Sequence, residues 1–165
     1  MPRLFVAVWP PPAVVDALTA PTRVDAPGLR FTTKDQWHAT LRFLGSCAEA
    51  DAIDALRGVR FETATVQLGP TIERLGSGLV VAPLAGLDAI ATAVRQATAA
   101  VGEPVDPRPF VGHVTLARLK DGGPCSLDGA AVGGTFTVQE IALVRSDLHH
   151  DGARYTTVAT VAAEP

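Results

Sequence analysis

The sequence predicts an α+β domain built on antiparallel sheets, and three observations lead there. Segments with strand and helix patterns alternate irregularly, without the strict βαβ rhythm of a parallel sheet. Several neighbouring strands have connections short enough for hairpins. The chain of 165 residues is long enough to bury one core without a disulfide or structural metal.

The opening Arg3-Leu4-Phe5-Val6-Ala7-Val8-Trp9 is β-branched and aromatic and reads as a buried strand. Pro10-Pro11-Pro12 ends it and starts a helix through Thr19, since proline suits the first helical turn. After the loop Asp25-Ala26-Pro27-Gly28, residues 36–44 read as a strand closed by Gly45, and residues 48–58 as a helix ended by Gly58. Strands follow at 63–68 and 79–82. The longest helical pattern runs from about Leu84 to Val101, with Leu87, Ile90, Ala91, Val94 and Ala97 close to the i, i+3, i+4, i+7 spacing. A proline-rich loop, 103–109, leads to a strand at 113–118. Two further strands are expected at 135–145 and 154–161, joined by a turn at 148–152.

Composition removes several function classes. With 17 acidic against 14 basic side chains the net charge is −3, which excludes a protein that coats nucleic acid through its whole surface and leaves a locally basic pocket open. Cys47 and Cys125 stand alone, without zinc-ligand spacing or a secreted disulfide framework. The apolar run Leu4–Trp9 is too short for a signal peptide, and no segment reaches the length of a membrane span. The expectation is a cytoplasmic, monomeric protein that does not associate with membranes.

The chemistry lies in a repeated tetrapeptide, His38-Ala39-Thr40-Leu41 and His113-Val114-Thr115-Leu116, one in each half of the chain. With 16 Thr and 16 Leu in the chain, two of its four His would open H-x-T-L by chance about once in two thousand such sequences. Side chains alternate along a strand, so each His shares a face with its Thr while Ala39, Leu41, Val114 and Leu116 face a core. Opposed across a cleft, two imidazoles suit in-line displacement at phosphorus: one removes a proton from the attacking oxygen and the other gives one to the leaving oxygen. Threonine hydroxyls can donate to non-bridging phosphate oxygens. No metal or cofactor is required by this arrangement. The same alternation puts Arg42, four residues after His38, on the cleft face, and Arg118, five after His113, on the other unless a bulge intervenes. Arg42 is therefore the expected phosphate ligand.

These motifs resemble the two-histidine (2H) phosphoesterases, and within them the RNA 2',3'-cyclic phosphodiesterases also named 2'-5' RNA ligases. The resemblance extends from Arg3-Leu4-Phe5-Val6-Ala7 through Trp37–Gly45 and Arg108–Arg118 to the final Leu143–Tyr155 segment. One departure is Gly112, where the family usually has proline; another is Ala39, where a larger aliphatic is common. The resemblance implies a single bilobal domain over residues 1–165, with one H-x-T-L motif per pseudo-symmetric lobe, antiparallel sheets lining a central cleft and helices outside. It implies opening of a 2',3'-cyclic phosphate to a 2'-phosphomonoester, with His38 as proton donor to the leaving 3'-oxygen, His113 as the base that activates water, and Thr40 and Thr115 holding the phosphate.

The remaining candidates for substrate contact are Arg118, Phe110, Arg108 and Arg30, with Arg145 and Arg154 as further arginines that could line an RNA groove. Trp37 is expected in the core, and His149 and His150 in a solvated turn. The partners expected are RNA bearing 2',3'-cyclic phosphate ends or small cyclic nucleotides. Alternatives are the reverse, ligating reaction, a non-catalytic RNA-end-binding module, and a metal-dependent hydrolase.

Overall fold

The computed structural model describes residues 1–165. Every strand pair is antiparallel, and the strands form two sheets. The first has the order β10(Gly152–Ala162)-β9(Glu140–His149)-β1(Arg3–Val8)-β3(Ala39–Ser46). The second has the order β2(Leu29–Phe31)-β7(His113–Leu119)-β6(Leu79–Ala85)-β4(Ala64–Leu68)-β8(Gly134–Val138), with β5(Glu73–Leu75) also paired to β6. The helices are α1(Pro12–Thr19), α2(Glu49–Arg57) and α3(Asp88–Ala97). α2 and α3 pack on the first sheet and α1 meets β8 of the second. The expected α+β architecture of antiparallel sheets around a cleft is what the chain adopts.

The two halves exchange segments. β2 comes from the first half of the chain yet extends the second sheet, while β9 and β10 come from the second half and complete the first. The main core, which includes Leu4, Val6 and Val8 of β1 and Val114, Leu116 and Ala117 of β7, runs between the layers. On the opposite face of β1, Phe5 and Ala7 join Ala142 and Val144 in a small separate cluster. That cluster backs the functional site.

Three expected elements need correction. The helix expected over 84–101 is confined to Asp88–Ala97, because β6 continues to Ala85 and Gly86 turns the chain at φ +113°, where a Cβ would meet the Thr65 carbonyl oxygen. The single strand expected at 135–145 is two strands, β8 and β9, in different sheets, with the change of sheet at Gln139. His38 precedes β3, because a short 3-10 turn, Lys34–Gln36, occupies the start of the expected strand.

Both motif strands carry a bulge at the motif leucine. Along β1, Val6 pairs with Arg42 and Ala7 with Thr40, so Leu41 is the extra residue. Along β6, Val80 pairs with Ala117 and Val81 with Thr115, so Leu116 is the extra residue. Leu41 is 1% exposed and Leu116 is 0% exposed. Burying each contributes about 1.5–3 kcal/mol to the fold. At the second bulge Thr32 supplies polar partners: its backbone N–H donates to the Leu116 carbonyl at 2.9 Å and its hydroxyl to the Thr115 carbonyl at 2.8 Å. Each bulge shifts the alternation of faces by one residue.

Candidate active site

The two motif histidines are held in the same way. His38 Nδ1 lies 2.7 Å from the carbonyl oxygen of Gln36, and His113 Nδ1 lies 2.7 Å from that of Val111. A carbonyl oxygen only accepts, so each Nδ1 carries a proton and each Nε2 is the ring atom left to meet a substrate. The Gln36 carbonyl is itself fixed, because the Gln36 side chain accepts from the Thr33 N–H at 3.1 Å and donates to the Ala153 carbonyl at 3.0 Å. His38 Nε2 is 3.0 Å from Thr40 Oγ1.

His38 rests on the small cluster of the first sheet. Its ring centroid is 4.7 Å from that of Phe5, 5.1 Å from Tyr155 and 5.9 Å from Trp9, the last two edge-on. Trp9 is fixed in turn by its indole N–H, which donates to Thr157 Oγ1 at 2.9 Å. Burial in this aromatic box holds the His38 pKa below the ordinary 6.5, opposed by the Gln36 carbonyl and reinforced by the charges of His113 and Arg118. Burial also raises the Tyr155 phenol, against a smaller lowering by Arg118.

Thr40 and His113 line one cleft of about 790 Å³, together with Phe43, Leu79, Arg108, Phe110 and Val111. Its outer wall is the loop between α3 and β7, which is clamped to β3. The Glu103 N–H donates to the Leu44 carbonyl at 2.8 Å, and Gly102, at φ +70°, leaves no room for a Cβ against that same carbonyl. Gly112 has a comparable duty at the entry to β7. Its carbonyl accepts from Leu84 N–H at 2.9 Å, and a Cβ at this position would lie 2.5 Å from the Leu84 oxygen.

The bulges reverse the expected roles of the two flanking arginines. Arg42 turns to the core side with Val6 and is 4% exposed. Its guanidinium donates to the carbonyls of Phe43 at 2.8 Å, Val101 at 3.2 Å and Glu103 at 2.6 Å. The expectation that Arg42 binds phosphate is therefore corrected: it ties the cleft's outer loop to β3. Arg118, by contrast, is exposed on the His113 and Thr115 face, and its charge reaches His38 and Tyr155. Phe43, five residues after His38 as Arg118 is five after His113, is 42% exposed on the cleft face of β3.

The other sequence candidates separate clearly. Phe110 lines the cleft and carries the Arg95 guanidinium 5.6 Å over its ring. Arg108 also lines it but is taken up by Asp106, whose carboxyl the Arg108 hydrogen bonds hold at about 2. Arg30 is exposed on β2 and donates to the Asp151 carbonyl at 2.8 Å. Arg145 pairs with Glu49 and Asp147, and Arg154 with Asp151. Trp37 is buried, as expected, and donates to Thr32 Oγ1 at 2.9 Å.

Sequence reading missed the box of Phe5, Trp9 and Tyr155; the i, i+2 spacing of Phe5, Ala7 and Trp9 was its one local sign. It also missed the second bulge, which the apolar pair Leu116-Ala117 signals by breaking the polar alternation of His113 and Thr115. No three His, Cys, Asp or Glu side chains converge as metal ligands do, and no helix is long and apolar enough to cross a membrane.

Comparison with known proteins places this geometry. No family model matches the chain. An RNA 2',3'-cyclic phosphodiesterase from Geobacillus stearothermophilus is 30% identical over 142 residues, covering 76% of this chain and 45% of the relative. The chain thus spans under half the length of that relative. Among solved structures, a phosphoesterase superposes with TM-score 0.82 at 26% identity over 99% of both chains. A Thermus thermophilus protein gives 0.79 at 29% identity over 97% of both. E. coli LigT, crystallised with 3'-AMP, shares the fold with TM-score 0.81 at 24% identity over 99% of both chains. With its paired H-x-T-L motifs and these relatives along its length, the chain has the fold of the two-histidine (2H) phosphoesterases.

Proposed function

We propose that the protein hydrolyses the 2',3'-cyclic phosphate at RNA ends to a 2'-phosphomonoester. The observation that carries this reading is the matched pair of imidazoles, each with Nδ1–H fixed on a backbone carbonyl and Nε2 left to exchange protons. The name of the Geobacillus relative, RNA 2',3'-cyclic phosphodiesterase, supports the substrate class.

In this mechanism the neutral Nε2 of His113 takes a proton from water as the water oxygen attacks phosphorus. The bond from phosphorus to the 3'-oxygen breaks, and the protonated Nε2 of His38 gives its proton to that leaving oxygen. One water is consumed, a 2'-phosphomonoester and a free 3'-hydroxyl form, and the proton passes on balance from His38 to His113. Thr40 and Thr115 donate to the non-bridging oxygens, where negative charge builds up. Donor and acceptor are assigned by the family resemblance. The setting of His38 suits the donor role: the bound phosphodiester anion raises its affinity for a proton at the moment the proton is needed.

The test is turnover of an oligoribonucleotide ending in a 2',3'-cyclic phosphate, in EDTA, by the parent and by His38→Ala and His113→Ala. A 2'-phosphate product, with each variant slower by about 10²–10⁴ and still folded, is expected. Activity abolished by EDTA and restored by zinc, or variants as active as the parent, would overturn the mechanism.

A further inference from the structure

Arg118 and Arg30 face each other directly across the β7–β2 ladder. Opposite residues of an antiparallel pair share a face, and like charges placed so are destabilising by themselves. Nothing in the protein offsets this pair. Of the other arginines, Arg57, Arg60, Arg74, Arg108, Arg145 and Arg154 pair with carboxylates, Arg23 and Arg42 donate to carbonyls, and Arg3 and Arg95 lie over the rings of Phe43 and Phe110. Arg118 has neither an ion pair nor a hydrogen bond, and Arg30 has only the Asp151 carbonyl, whose own carboxylate is taken by Arg154. Beyond Arg118, buried Leu119 turns inward and exposed Lys120 returns to the outer face, likewise without a carboxylate partner.

Thr115 and Arg118 on β7, and exposed Lys120 just past its end, therefore form a row, with Arg30 beside its middle. Thr115 and Arg118 pair with Val81 and Leu79, two residues apart on β6, so the step between them is about 7 Å; the two residues of chain on to Lys120 span at most about 7 Å more. A stride of this length matches one nucleotide of extended single-stranded RNA. Resting on the proposed function, we infer that β7 and β2 carry a track for the RNA backbone 5' of the cyclic phosphate. The phosphate one nucleotide upstream sits between Arg118 and Arg30, and the next sits at Lys120. The substrate class is then an oligoribonucleotide end, favoured over a mononucleotide cyclic phosphate because only the chain has phosphates to fill the track.

The experiment measures binding of product-like ligands, so it does not depend on turnover. A trinucleotide ending in a 2'-phosphate is compared with a nucleoside 2'-monophosphate by titration from about 50 to 200 mM salt. The trinucleotide is expected to bind on the order of tenfold tighter at low salt. The slope of log affinity against log salt should become shallower by at least about 0.7 in the Arg30→Gln/Lys120→Gln double variant, from roughly 0.7 per phosphate contact on a single strand, because Arg118 still holds the phosphate it shares with Arg30. Lys120→Gln alone, which removes no contact within the fold, should give most of that change, and melting temperatures check that the variants are folded. Equal affinity for both ligands, or a slope untouched by the double variant, would overturn the track. Turnover of a nucleoside 2',3'-cyclic phosphate, measured beside it, reports separately on the proposed function.

Discussion

Replacing Arg42 by methionine keeps the length of the side chain and removes its donors. Three carbonyls then lose charge-assisted hydrogen bonds, those of Phe43, Val101 and Glu103, at a position 4% exposed. A bond to a charged group contributes about 1.5–3 kcal/mol, and the 3.2 Å contact to Val101 belongs at the low end. Arg42 Nε is buried without a partner, and removing it relieves about 1–3 kcal/mol of that sum. The expected net loss is about 3–5 kcal/mol, a large share of the roughly 5–15 kcal/mol that holds a domain together. For a domain of this size each kcal/mol moves Tm by about 2–4 °C, so calorimetry should record a fall of about 6–20 °C. Arg118→Met, on the exposed face, should leave Tm nearly unchanged and lower kcat/KM by about 10- to 150-fold, equivalent to losing one charge-assisted phosphate contact of roughly 1.5–3 kcal/mol. A stable Arg42→Met protein that no longer binds substrate, beside a fully active Arg118→Met, would refute both the bulges and the roles drawn from them.

Other consequences are open to direct measurement. In the free enzyme the His38 proton is held less firmly than at the ordinary 6.5, so the alkaline limb of kcat/KM should lie below pH 6.5 and that of kcat at a higher pH than it, once bound phosphate raises the imidazole; limbs at the same pH would contradict this. The same depressed pKa makes a stability contribution that is complete above pH 6.5 and is lost as pH falls through the folded value, because the unfolded chain then binds the extra proton; His38→Gln should flatten that part of a denaturation series. Gly112→Ala drives a Cβ to 2.5 Å from the Leu84 oxygen and should cost about 1–3 kcal/mol in urea unfolding, with kcat lowered through displaced His113; an unchanged midpoint would show that the strand entry yields freely.

Much of this architecture is legible in the sequence because its elements obey local rules. The hydrophobic opening strand, the proline-started first helix and the two H-x-T-L strands all follow from periodicity and turn residues. What periodicity cannot reveal is where it slips. A bulge needs only one more buried residue than the ladder can pair, and Leu116-Ala117 gives that sign while Leu41-Arg42 disguises it, since the second buried residue of the latter pair carries a charge. The division of β8 from β9 is a tertiary choice made at Gln139, with no glycine or proline to announce it. Likewise the box around His38 joins Phe5, Trp9 and Tyr155 from opposite ends of the chain, a contact beyond the reach of local pattern.

The exchange of segments between the halves bears on the order in which the protein acquires its shape. β1 lies between β3 and β9, so its second neighbour is synthesised only after the chain has passed from residue 8 to residue 140. Until then β1 has one free edge, and Phe5 and Ala7 lack Ala142 and Val144 to pack against. A ribosome adds roughly 5–20 residues each second, so this exposure lasts several seconds or more, with unpaired backbone and apolar surface of the kind that chaperones engage. Closing so long a loop is also slow by topology alone. The strand that backs His38 is thus made early and buttressed late, so a ribosome stalled before β9 would hold a chain with both motif histidines and only half the support for one of them.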